Sequence, residues 1–99
     1  MKKYWISSDP ATDADVEAAF QWYESEEPGL GYEFLQEIRA AYERILHGSQ
    51  TYAVLGSGIR RTLIRRFPYA IYFSLEDEMI FIIAVLHTAR DPEEWQFRV

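Results

Sequence analysis

The chain has 99 residues, 48% apolar and 16% aromatic, with 16 acidic against 10 basic side chains for a net charge of −6. A chain this short holds one hydrophobic core, so residues 1–99 are read as a single domain. The absence of cysteine excludes a disulfide framework and a thiolate metal site, His47 and His87 alone make no metal site, and no apolar run reaches the roughly 18 residues of a membrane span.

The charge is uneven. Residues 1–50 hold four basic against ten acidic side chains, whereas residues 51–99 hold six arginines against six acids. Phosphate backbones are bound by neutralising them with cations, so an acidic whole molecule opposes free-standing nucleic-acid binding and only the cluster from Arg60 to Arg66 attracts. Met1-Lys2-Lys3 has the charge of a leader start, but Tyr4–Ser8 is too short for a leader's apolar core. A cytoplasmic chain is expected.

Tyr4–Ser8 reads as a short strand. Asp9-Pro10 then starts a helix, with Asp9 as cap and Pro10 at the first position, where its missing N–H is not needed. Val16, Ala19, Phe20 and Tyr23 form an apolar stripe. Asp13, Asp15 and Glu17 occupy early turns that the helix dipole favours for acids. Glu24, Glu26 and Glu27 read as a solvated helix end, and Pro28-Gly29 as the break.

A second helix is predicted from about Leu30 to His47, with Phe34, Leu35, Ile38, Ala41, Tyr42, Ile45 and Leu46 on one face. Gly48 is expected to close it in the left-handed conformation. The short connector makes the pair an antiparallel hairpin. Trp22, Tyr23, Phe34 and Tyr42 are read as packing.

Ser49–Gly58 reads as loop. Strands are predicted at Ile59–Arg65, Tyr69–Leu75 and Met79–His87, separated by an Arg66-Phe67-Pro68 corner and a three-residue loop, Glu76-Asp77-Glu78. The last strand is apolar on both faces, as in a sheet centre covered on each side. A tail to Val99 holds Trp95 and is expected to include one helical turn. The fold class is α+β, ordered β-α-α-β-β-β, with a helical hairpin packed on a mainly antiparallel curved sheet.

Three segments resemble one family. Trp22-Tyr23-Glu24, Pro28-Gly29-Leu30-Gly31 and Phe34-Leu35 are similar to the helix-hairpin signature of the RelE/ParE toxin superfamily. Gly58-Ile59-Arg60-Arg61 with Phe67-Pro68-Tyr69-Ala70-Ile71-Tyr72-Phe73 is similar to its central segment, and Ala84-Val85-Leu86-His87 with Arg90-Asp91-Pro92 and Trp95 to its closing one. The resemblance runs in order over roughly residues 4–95.

It implies the toxin of a type II toxin–antitoxin pair, silenced by a cognate antitoxin protein wrapped around it. It further implies one of two activities: inhibition of DNA gyrase by protein binding, or ribosome-dependent, metal-free cleavage of mRNA. Neither needs a cofactor, a metal or a membrane. The RNA-cleaving branch is similar in fold but supplies lysines and arginines around the scissile phosphate. Here the only lysines are Lys2 and Lys3. Ala70 stands where that branch has an arginine, Thr88 and Ala89 where it tends to be basic, and Trp95 near its late tyrosine. A substitute nuclease set would be Arg61, Arg65, Tyr69, His87 and Arg90. The gyrase-binding branch fits the residues better. A toxin fold kept only as an antitoxin-binding module is the third alternative.

The partner-binding candidates are Arg60, Arg61, Arg65, Arg66, His87, Arg90 and Trp95. Arg60, Arg61, Arg65 and Arg66 are read as alternating across one strand, so 61 and 65 share one face and 60 and 66 the other. The competing account makes these arginines solvated edge residues paired with the acidic helices. His87 is otherwise a hydrogen-bonded structural histidine, Arg90 and Asp91 a turn ion pair, and Trp95 a lid over the sheet. An antitoxin helix or strand is expected to cover exposed apolar surface, leaving the free toxin poorly soluble.

Overall fold

The computed structural model describes residues 3–99; the basic Met1-Lys2 opening lies outside them. Strand β1 (Trp5–Ser8) leads into helices α1 (Pro10–Glu26) and α2 (Leu30–Gly48), followed by β2 (Val54–Gly56), β3 (Ile59–Leu63), β4 (Tyr69–Glu76) and β5 (Met79–His87). Short 3₁₀ turns cover Ser49–Thr51 and Glu94–Arg98. The five strands lie in the order β1-β5-β4-β3-β2. All neighbours are antiparallel except β1, which runs parallel to β5 from Trp5↔Met79 to Ser8↔Ile82. The expected helical pair on a mainly antiparallel sheet is therefore the fold.

Helix α1 begins as its sequence dictates. The Asp9 side chain accepts from the Thr12 N–H at 2.9 Å, with Pro10 in the first turn. At its other end Glu24 is not merely solvated. Its carboxylate accepts from the Gly29 and Gly31 N–H groups, both at 2.9 Å, and so caps the start of α2. The two glycines serve different ends. Gly29 has φ +94°, which an L side chain resists. A Cβ on Gly31 would lie 2.7 Å from the Phe20 carbonyl oxygen, so the helices approach closely there.

Helix α2 buries Phe34, Ile38, Ala41 and Ile45. It does not end in a left-handed Gly48, whose φ is −162°; the backbone tightens instead into the 3₁₀ turn, with Ser49 buried. The predicted loop that follows contains an edge strand. Ser57 and Gly58, both at positive φ, join β2 to β3 as a tight two-residue hairpin. Strand β3 stops at Leu63, two residues short of expectation, because Arg66 turns the chain at φ 70°. Arg65 and Arg66 thus lie in the corner, off the strand, and do not alternate with Arg60 and Arg61. The β4–β5 turn is also shorter than predicted: Glu76 pairs with Met79, leaving Asp77 and Glu78 as the turn.

The sheet has two apolar faces. Under the helices, Phe34, Ile45, Ile71, Phe73, Ile80 and Ile82 are fully buried, each such side chain stabilising by about 1.5–3 kcal/mol. On the far face lie Ile59, Ala70, Tyr72, Ile83, Ala84 and Leu86. A β-bulge in β5 explains that set. Tyr72 pairs with Ala84 but Phe73 with Ile82, so Ile83 is an extra residue and joins Ala84 on the far face. Trp95 covers this side, stacked on Tyr72 at 5.7 Å and 13° between planes.

Candidate functional site

Strand β1 is only four residues long, so β5 has no strand partner on that side beyond Ile82. Side chains of α1 take over. The Thr12 hydroxyl donates to the Ile82 carbonyl at 2.8 Å, and the Val85 N–H donates to Asp15 Oδ2 at 3.0 Å. The chain's end returns to the same place: Arg98 donates to both Asp15 oxygens. The hydrogen bond to Asp15 raises the Arg98 pKa, burial opposes it, and the charges of Asp15, Glu94 and Asp9 add to the rise.

Just beyond this seam the ends of β4 and β5 bring three candidates together. Tyr69 pairs with His87, their rings edge-to-face at 5.3 Å. The chain turns after His87, with Asp91 N–H bonded to the His87 carbonyl, and delivers Arg90 Nη2 to the Tyr69 hydroxyl at 2.8 Å. His87 Nδ1 accepts from the Ala89 and Arg90 N–H groups at 3.0 and 3.1 Å. An accepting Nδ1 leaves the neutral ring's proton on Nε2. Burial holds the Tyr69 phenol above its usual range, with Arg90 pulling the other way. Tyr23 is raised too, by burial and then by neighbouring Tyr69.

These groups border a cleft of about 320 Å³ between α1 and the end of β5. Ala18, Ala19 and the backbone around Val85 border it beside the polar groups Asp15 and Asp91. Trp22, expected in the core, is 50% exposed and stands at its lip.

The remaining candidates are elsewhere. Arg61 pairs with Tyr72 across the ladder and so faces the side of the sheet away from Tyr69. Arg65 is exposed in the corner. Arg60 is tied down, donating to the Gln50 and Tyr52 carbonyls at 3.1 and 2.6 Å. Arg66 reaches Glu33 at 2.6 Å and lies over the Phe67 ring. The nuclease set is therefore divided: Tyr69, His87 and Arg90 meet, and Arg61 points away from them. Among the described residues no group of three or more His, Asp or Glu side chains is arranged to hold a metal.

Asp15 and Arg98 escaped sequence reasoning. The available signal was spacing: Asp15 follows Thr12 by three residues and precedes Ala19 by four, the two buried positions of α1, which puts it on the inward stripe rather than the solvated face.

The model of the ParE toxin of the type II toxin–antitoxin system parDE matches residues 6–92. The chain belongs to the ParE toxin family. No curated protein matches it. A solved chain of the chromosomal ParDE toxin–antitoxin system from P. aeruginosa has the same fold as this ParE-family chain, with a TM-score of 0.76 and 17% identity, covering 86% of this chain and 96% of that one. A mutant of the E. coli toxin RelE in the free state is more distant, at a TM-score of 0.58 and 12% identity over 98% and 94% of the two chains. No helix among the described residues is long and apolar enough to cross a membrane.

Proposed function

We propose that this ParE-family chain is a growth-inhibiting toxin that binds a protein target, DNA gyrase, and is held inactive in the cytoplasm by a cognate antitoxin. The family match over residues 6–92 carries the proposal. Two further features favour protein binding over RNA cleavage. The net charge of −6 opposes association with ribosomal RNA, and the fully buried Ala70 stands where the resemblance gives the RNA-cleaving branch an arginine. Val54 and Leu55 of the edge strand β2, and Leu63 at the end of β3, are exposed, which suits the cover of an antitoxin segment.

Expression without an antitoxin tests the choice. Growth arrest is expected while translated messages, mapped by primer extension, stay uncut. Codon-positioned cuts would instead establish the endoribonuclease, and undisturbed growth would indicate a toxin fold retained only for antitoxin binding.

A further inference from the structure

The cleft between α1 and the end of β5 has an unbalanced set of polar groups. Arg90 donates one N–H to a neutral phenol, and no described carboxylate lies within ion-pair distance of it, in a chain with 16 acids. An arginine held by a phenol rather than by a counter-ion keeps its charge and most of its five N–H donors available. The Tyr69 oxygen accepts that bond, and no described group accepts from its O–H, which remains a donor. Burial raises this phenol above its usual range, which already keeps the proton near neutral pH. His87 adds the Nε2–H that its occupied Nδ1 dictates.

The acceptors nearby do not balance these donors. Asp15 also lines the cleft, but its carboxylate already accepts from Val85 N–H and from both Arg98 nitrogens. Asp91 is exposed at the rim. Three donor-bearing side chains of different kinds, one of them cationic, therefore border the same space of about 320 Å³. Charge-assisted hydrogen bonds to an oxyanion suit such a set, and Arg recognises planar carboxylates well.

We propose that this cleft is a carboxylate-binding pocket that receives an acidic side chain, Glu or Asp, from a partner polypeptide, with Arg90, Tyr69 and His87 as donors and Trp22 covering the side chain's methylenes. A peptide acid is favoured over a nucleic-acid phosphate on two grounds. The charge of −6 repels a polyanion but not one acid within a peptide of mixed charge. Ala18 and the half-exposed Trp22 beside the cleft offer apolar surface suited to a side chain's methylene groups. The pocket rests on the proposal that the chain binds a protein, but not on which protein.

The test is a nuclear magnetic resonance titration of the full chain, following the Arg90 Nε–H and Trp22 indole N–H signals. The probes are N-acetyl-glutamate methylamide, its glutamine counterpart and dimethyl phosphate. The capped glutamate should shift both signals saturably. The glutamine probe, and the glutamate probe with Arg90→Gln, should bind roughly tenfold or more weakly. Tyr69→Phe should weaken binding less, removing one donor. Arg90 is exposed, so its substitution leaves the fold intact, which the amide spectrum would verify. Absence of saturation, equal response to glutamate and glutamine, or indifference to Arg90→Gln would overturn the pocket. Tighter binding of dimethyl phosphate would replace it with a phosphate site. A chain that inhibits gyrase but fails this titration loses the pocket alone.

Discussion

Asp15, in the second turn of α1, holds Arg98 at the far end of the chain, 83 residues later, while accepting the Val85 N–H of β5. One carboxylate thus joins helix, sheet and tail where β1 is too short to cover β5. Asp15→Ala leaves a buried backbone donor unpaired and an arginine without its partner, and should cost about 2–3 kcal/mol. Arg98→Ala keeps the Val85 bond and should cost about 1 kcal/mol. Urea unfolding of both variants measures the difference; equal losses would show that the Val85 bond contributes nothing.

The hairpin turn separates two glycine effects. Gly31→Ala drives a methyl group to 2.7 Å from the Phe20 carbonyl, and overpacking of that kind costs about 1–3 kcal/mol. Gly29→Ala meets no atom within 4 Å and pays only for its φ of +94°, roughly 1–2 kcal/mol. Thermal unfolding should therefore respond to both. Interhelical contacts seen between Phe20 and Tyr32 in nuclear Overhauser spectra should change only in Gly31→Ala.

Alkaline pH should weaken the fold through Tyr42. Burial first, then Asp13 and Asp15, raise its phenol from 10.0 to about 12. The unfolded chain releases this proton more readily than the folded one. The contribution is therefore complete below pH 10 and disappears as pH climbs toward 12, a difference of roughly 2–3 kcal/mol. Stability measured across that window should fall less steeply in Tyr42→Phe than in the unaltered chain.

Much of this architecture was legible in the sequence because local signals agreed with packing. Asp9-Pro10 started α1, Pro28-Gly29 ended the first helix, and the apolar run Met79–His87 formed a strand buried on both faces. The failures have one physical source: groups whose partners are distant in sequence. Glu24 looked solvated because the N–H groups it caps belong to the next helix. Trp22 fitted a core stripe, yet α1 meets the sheet where β1 has ended and leaves the indole half exposed. Strand β2 was missed since its three residues gain pairing only from β3. The Tyr69–His87–Arg90 grouping was partly visible, and Asp15–Arg98 was not, because nothing local marks a contact closed by the last turn of the chain.

The arginines should divide by their bonds. Arg60→Ala removes donors to two backbone carbonyls and should destabilise by about 1–2 kcal/mol. Arg61→Ala and Arg65→Ala, at exposed positions, should stay within about 0.5 kcal/mol. Chemical denaturation checks both expectations. A loss of toxicity in Arg61 or Arg65 variants that keep full stability would mark those two as partner-binding.

Gyrase itself gives the most direct trial. Purified chain added to DNA gyrase and relaxed plasmid at micromolar concentration should block supercoiling, and stoichiometric addition of the proposed cognate antitoxin should restore it. Supercoiling that proceeds undiminished at that concentration, with a folded chain present, would contradict the assignment of gyrase as the target.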